Sequence, residues 1–163
     1  MLSGTQSVKS VSDMKQACIT IPNPGGFDKL CITDAIYGCV GANVNGLKPG
    51  ILKEDPTKMN SIKNGDFVMI EVHCIGINYA DVCIRWGLYS SAKKYVGYPI
   101  IPGFEFSGKV IWKSDGNNRF NIGDEVFGVS LFGAYSTKLL VPGNQCYIKP
   151  KVLKMDEAAG ILA

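Results

Sequence analysis

The chain is short of the residues that metal and nucleic-acid chemistry require. It holds one histidine, His73, and its six cysteines are Cys18, Cys31, Cys39, Cys74, Cys83 and Cys146. No two of these form a CxxC pair, so the spacing does not suit a zinc site. The net charge of +3 is small and spread along the chain. With no interleaved aromatic and basic pattern, nucleic acid is not expected as a partner. No apolar run approaches the roughly 20 residues of a membrane-spanning helix. Met1 to Met14 has neither the apolar core of a secretory signal nor the arginines of a mitochondrial presequence. Residues 1–14 therefore read as a disordered leader, and reduced thiols in a cytoplasmic protein are expected. No GxGxxG stands between a strand and a helix. The Asn23-Pro24-Gly25-Gly26 turn joins two strands and lacks the lysine and helix of a phosphate loop.

What is present describes a turn-rich β domain. A chain of 163 residues, 46% hydrophobic with 19 glycines and 8 prolines, is long enough for one real core and heavily punctuated. Gln16 to Thr33 reads as a hairpin turning at Pro22 to Phe27. The stretch at about 38–65, rich in Gly, Asn, Pro and Lys without periodicity, reads as an exposed inserted loop, which loop-closure entropy tolerates. Asp66 to Ile75 alternates as a strand, with Val68, Ile70, Val72 and Cys74 on one face and Glu71 and His73 solvated on the other. Cys74 and Cys83 are read as core. Further strands are expected at Phe106–Trp112, from Glu125, within Leu131–Leu140 and at Cys146–Ile148, with a hairpin turn at Asp115-Gly116. A helix opens at Asp156-Glu157, acids at its positive end, and its pattern runs to Ala163.

The most informative stretch is Gly76 to Gly108. Asn78 suits a helix N-cap, and Asp81 follows at capping-box spacing. Tyr79, Val82, Cys83 and Trp86 fall at i, i+3, i+4 and i+7, predicting one apolar face, and Gly87 stands where a terminating glycine is expected. Beyond a polar connection, Tyr98-Pro99 and Ile101-Pro102 impose an extended path before Gly103. Glu105, between Phe104 and Phe106, must be partnered or wet.

The segments GINYADVCIRWGLY, YPIIPGFEFSG, GDEVFG and GAYS resemble, in that order, the N-terminal GroES-like domain of the medium-chain dehydrogenase/reductase superfamily. The nearest branch is the zinc-independent NADPH:quinone oxidoreductases. The resemblance implies a mainly β fold, a GroES-like partly open β barrel with a few short helices, over residues 15–163. It also implies a Rossmann domain that binds NADP and lies outside this chain. In the zinc alcohol dehydrogenases, the positions matching Asn78 and Phe104 are a cysteine and a histidine that bind metal. An amide and a phenyl ring stand here, so no zinc is expected and neutral donors must polarise the acceptor.

As catalytic residues the resemblance implies Tyr89, a proton donor in related enoyl-thioester reductases, and Asn78, near the nicotinamide. Asn78, Tyr79 and Asp81 are its candidate cofactor-contacting residues. Tyr79 equally suits the core face of its helix, Asp81 is expected to orient Asn78 or the helix end, and Glu105 is expected to be a structural partner of an arginine or a backbone donor. The implied reaction is hydride transfer from NADPH to a quinone or enone by a homodimeric full-length protein. Enoyl-thioester reduction and a non-enzymatic GroES-like binding module are the alternatives. Limited proteolysis should cut first within residues 38–65; earlier cleavage between Gln16 and Thr33 or between Phe67 and Ile75 would contradict the inserted-loop reading.

Overall fold

The structure is a computed structural model that describes residues 16–35, 39–40, 50–51, 62 and 64–163. The leader, and all of the inserted stretch except 39–40, 50–51, 62 and 64–65, lie outside the described residues.

A long antiparallel pair organises the fold. Strand β5, Phe67–Gly76, lies between β6, Glu105–Lys113, and β8, Lys138–Pro142. Outward from these run β7, Glu125–Val129, and β9, Cys146–Ile148, on one side. On the other side lie β3, Cys39–Val40, and β4, Gly50–Ile51. The sheet has seven strands in the order β4-β3-β8-β5-β6-β7-β9, antiparallel throughout except for β3 against β8. No pairing joins β9 to β4 among the described residues, so the sheet is an open one rather than a closed barrel. Strands β1, Gln16–Thr20, and β2, Cys31–Ala35, form the expected hairpin, with Phe27–Lys29 as a 3-10 turn. Single bridges from Cys18 to Ser136 and from Ile21 to Ile100 fasten it to the rest.

Two apolar clusters hold these elements. The larger contains Val68, Ile70, Phe106, Val110, Val126 and Leu139 from the central strands. The smaller gathers Ile21, Ile84, Ala92, Ile100 and Phe132 beside the helices. Helix α1 is Tyr79–Arg85, α2 is Ser90–Tyr95 and α3 is Met155–Ala158.

Three expectations are corrected. Phe67 to Ile70 are all buried, so the first half of β5 is covered on both faces instead of alternating. Bulges after Met69 and Val72 break the period. The turn at Asp115-Gly116 and the next strand, from Glu125, stand where expected. The intervening loop is tied down by Asn117, whose Oδ1 accepts from the Arg119 and Phe120 N–H groups and whose Nδ2 donates to Asp66 Oδ1 at 2.6 Å. The final helix is one turn, because Leu162 and Ala163 donate their N–H groups to Glu105 rather than to a helical carbonyl. Helix α2 was not expected; six residues with a single buried one, Ala92, carry too little periodicity to announce it.

Phe106 is fully buried at the middle of the larger cluster. Phe106→Ala should destabilise the domain by about 3–5 kcal/mol through lost burial and the cavity left behind. Ile32, 84% exposed on β2, should tolerate alanine within about 0.5 kcal/mol. Urea midpoints at constant m-value check both, and equal losses would misplace the core.

Candidate functional site

The site is built on two buried carboxylates. Asp81, in the first turn of α1, accepts from three directions. Its Oδ2 takes the Asn78 N–H at 2.9 Å and the Tyr135 hydroxyl at 3.1 Å, and its Oδ1 takes the Gly103 N–H at 3.0 Å. The Asp81 N–H in turn donates to the Asn78 carbonyl at 3.0 Å. One side chain therefore joins the start of α1, the proline-framed turn and the segment before β8. Gly103 is at φ +102°, and a Cβ there would stand 2.5 Å from the Tyr135 ring. Only glycine brings this N–H to Asp81.

Glu105, buried at the head of β6, accepts the Asn78 Nδ2 at 3.0 Å on Oε1 and the Leu162 and Ala163 N–H groups at 3.0 and 3.1 Å on Oε2. A carboxylate only accepts, so Asn78 turns its amide nitrogen to Glu105 and keeps its carbonyl oxygen for other donors. The predicted role of Glu105 as a partner of backbone donors is what the structure shows.

Beside Asn78 opens a cavity of about 630 Å³ whose lining includes Tyr79, Tyr89, Phe104, Leu131 and Gln145. Tyr89 sits at the N-cap of α2, its ring 5.8 Å from Phe104 and 6.2 Å from Phe132. Phe104 and Phe132 stand 5.4 Å apart, so the buried Phe132 backs the wall that Tyr89 and Phe104 present to the cavity. Opposite in character, Gln145 Oε1 is buried with no hydrogen-bond partner among the described residues.

The structure sorts the candidates. Asn78, Tyr79 and Tyr89 come together at the cavity; Asp81 does not line it, its oxygens being taken by backbone and Tyr135. The predicted apolar face of α1 is corrected. Tyr79 is 73% and Trp86 47% exposed, Val82 and Cys83 are half-buried, and the inward face carries Asp81, Ile84 and Arg85. Two of those three are charged, so hydropathy hid the face. Each is buried because it is satisfied, Arg85 donating from Nη1 to the Gly25 carbonyl at 2.8 Å beneath the Phe27 ring. Cys74 is likewise half-buried rather than core. The Tyr89 ring leans on the smaller cluster. Tyr135 and Gln145 were missed as site residues. The buried Asp81 was a signal that a donor such as Tyr135 must exist, while nothing local marks Gln145.

As for a metal, Phe104 has no lone pair and both Glu105 oxygens are engaged, so these residues do not fit zinc. Among the described residues, no three His, Cys, Asp or Glu side chains converge as a metal site. None of the described helices is long and apolar enough to cross a membrane.

Residues 64–151 match the alcohol dehydrogenase GroES-like domain, and the chain belongs to that family. It is 30% identical over 95 residues to a synaptic vesicle membrane protein VAT-1 homolog of Rattus norvegicus, covering 58% of this chain and 23% of that protein. It is 30% identical over 114 residues to a quinone oxidoreductase of the same organism, covering 69% of this chain and 34% of that protein. The fold matches the Escherichia coli quinone oxidoreductase crystallised with NADPH at a TM-score of 0.64 and 24% identity, over 88% of this chain and 36% of that one. The chain thus spans a quarter to a third of these curated relatives, and its resemblance to the quinone oxidoreductase branch is borne out.

Burial raises the Asp81 pKa above 3.8, against the hydrogen bonds that lower it. The folded chain then holds this proton more tightly than the unfolded chain. Its stabilising contribution is complete below pH 3.8 and is lost as pH rises through the raised value. In Asp81→Asn, that component of the slope of stability against pH should vanish. The variant should also lose about 1–3 kcal/mol at neutral pH, since its NH₂ faces donors. Parallel wild-type and variant curves of melting temperature between pH 3 and 6 would contradict the assignment.

Proposed function

We propose that this domain is one wall of the active site of a zinc-independent, NADPH-dependent reductase that transfers hydride to a conjugated carbonyl acceptor, a quinone or an enone. On this reading residues 15–163 are its GroES-like catalytic domain with the 38–65 insertion, residues 1–14 a leader, and a Rossmann domain belongs to a longer, homodimeric, cytoplasmic enzyme. The observation that carries the reading is the cavity itself. At about 630 Å³ it has the size and largely apolar lining of a small-molecule site, with Asn78, Tyr79, Tyr89, Ser130 and Gln145 as its polar lining. The buried, unpartnered Gln145 Oε1 marks a place where a bound group with an N–H or O–H is lacking a counterpart, which suits a carboxamide-bearing cofactor ring.

Asn78 and Tyr79 would hold a reduced nicotinamide against this wall, and it would supply the hydride. As it adds to the acceptor's conjugated carbon, the electron pair moves onto the carbonyl oxygen, which becomes an enolate or phenolate. Tyr89 has the neutral hydroxyl suited to donate to that oxygen, and solvent returns its proton. Phe104 and Leu131 exclude water from the acceptor's face. Asn78, held by Glu105, keeps a fixed amide toward the ring, and Tyr79 stands at the edge of the cavity. The non-fitting zinc site leaves this donor chemistry to polarise the carbonyl.

In the longer enzyme, Tyr89→Phe keeps the ring contacts and removes the hydroxyl. kcat should fall roughly ten- to a thousandfold, about 1.4 to 4 kcal/mol, with KM little changed and a smaller loss for quinones than for enones or enoyl thioesters. Wild-type kcat on every acceptor would remove Tyr89 from the chemistry. A screen with NADPH and NADH against the three acceptor classes tests the wider reading, and no turnover of any would reject it.

A further inference from the structure

The outer side of α1 carries an apolar face that the domain leaves bare. Phe27 is 80% exposed, Leu88 72% and Trp86 47%, with Tyr95 and Leu30 also open to solvent. These side chains come from three neighbouring segments, two of them joined by hydrogen bonds. The Gly25 N–H donates to the Arg85 carbonyl at 2.8 Å, and Arg85 Nη1 donates back to the Gly25 carbonyl at 2.8 Å. The Arg85 guanidinium lies 4.3 Å from the Phe27 ring centre and 5.5 Å from that of Trp86. A Cβ at Gly87 would fall 2.9 Å from Pro24 and 4.0 Å from Lys93 Cε, which puts the basic turn of α2 against the same face.

The charge around these rings is mainly positive among the described residues. Lys29, Arg85, Lys93 and Lys94 stand with one carboxylate, Asp28, which is bound to Lys29 at 2.6 Å. Lys93 and Lys94 are exposed, and Lys94 Nζ lies 5.0 Å from the Tyr95 ring. Exposed aromatic and leucine side chains ringed by lysines match an interface with an apolar interior and a negatively charged margin.

We propose that the face formed by Phe27, Trp86 and Leu88, with Lys93 and Lys94 at its edge, docks onto an anionic lipid surface. The rings and Leu88 enter the headgroup region, and the lysines pair with lipid phosphates and carboxylates. The face adjoins the cavity, since Tyr79 lines it and meets Trp86 edge-on at 6.5 Å. A docked domain therefore opens its cavity close to the lipid, from which an apolar molecule can enter. The docking itself does not depend on the proposed reaction.

The chain reports on this directly. It has two tryptophans, and Trp112 is buried in β6 while Trp86 lies in the face. Phosphatidylcholine vesicles carrying phosphatidylserine should sediment the protein, shift Trp86 emission to the blue and expose it to brominated-lipid quenching. Pure phosphatidylcholine should do so far less, and high salt should reverse the effect. Trp86→Phe should abolish the shift. Lys93→Ala should weaken partition about fivefold and the double variant with Lys94→Ala roughly thirtyfold. Leu88→Ser, at an exposed position, tests the apolar half without touching charge and should reduce quenching. Unchanged melting temperatures show that the variants fold. No sedimentation, equal binding to neutral vesicles, or no loss in the lysine variants would overturn the proposal. So would the same Trp86 shift on raising protein concentration without lipid, which would assign the face to a second copy of the chain.

Discussion

A single buried carboxylate, Asp81, is what the cleft depends on. Its three accepted hydrogen bonds come from segments far apart in sequence: the helix start, the turn at Gly103 and Tyr135. Burying a carboxylate costs several kcal/mol, and only this set of donors offsets it. Burial raises the Asp81 pKa, and both burial and the neighbouring Asp81 raise that of Tyr135, so the phenol stays a donor to the carboxylate. Without Asp81, the proline-framed turn and α1 would have no common anchor, and the aromatic wall that begins at Phe104 would lose its register.

Glu105 plays the complementary part at the floor. It orients an amide where the resemblance puts a metal ligand in related enzymes, and it gathers the N–H groups of Leu162 and Ala163. The two carboxylates are therefore positioning groups, each spent on donors of the protein. The polar side chains that face the cavity are Asn78, Tyr79, Tyr89, Ser130 and Gln145, none of them acidic or basic, with hydrocarbon between them. Such a surface can stabilise charge that develops on a bound carbonyl oxygen without a resident ion, which is why the proposed chemistry rests on hydrogen-bond donors.

Helix α1 separates two environments. Inward it is held by Asp81, Ile84 and Arg85; outward it shows Tyr79 and Trp86. A seven-residue helix gains little from its own hydrogen bonds, so the inward contacts must hold it and the outward face remains available. The hairpin loop around Phe27 extends that outward face, and its link to α1 through Arg85 keeps the two in fixed relation.

The sequence by itself determined the elements whose signals are local. The hairpin, the strand before Gly76, the helix between Asn78 and Gly87 and the last short strand all stand where turn residues and spacing put them. The ordered motifs were also sufficient to reach the family, because glycines and prolines at fixed places encode backbone geometry. Only the tertiary structure decided which face of α1 is buried, that Tyr89 leans on Phe104 and Phe132, and that Gln145 joins the cavity. The reason is physical. A charged residue such as Asp81 or Arg85 reads as solvent-facing until its partners are known, and those partners lie dozens of residues away, at Gly103, Tyr135 and Gly25.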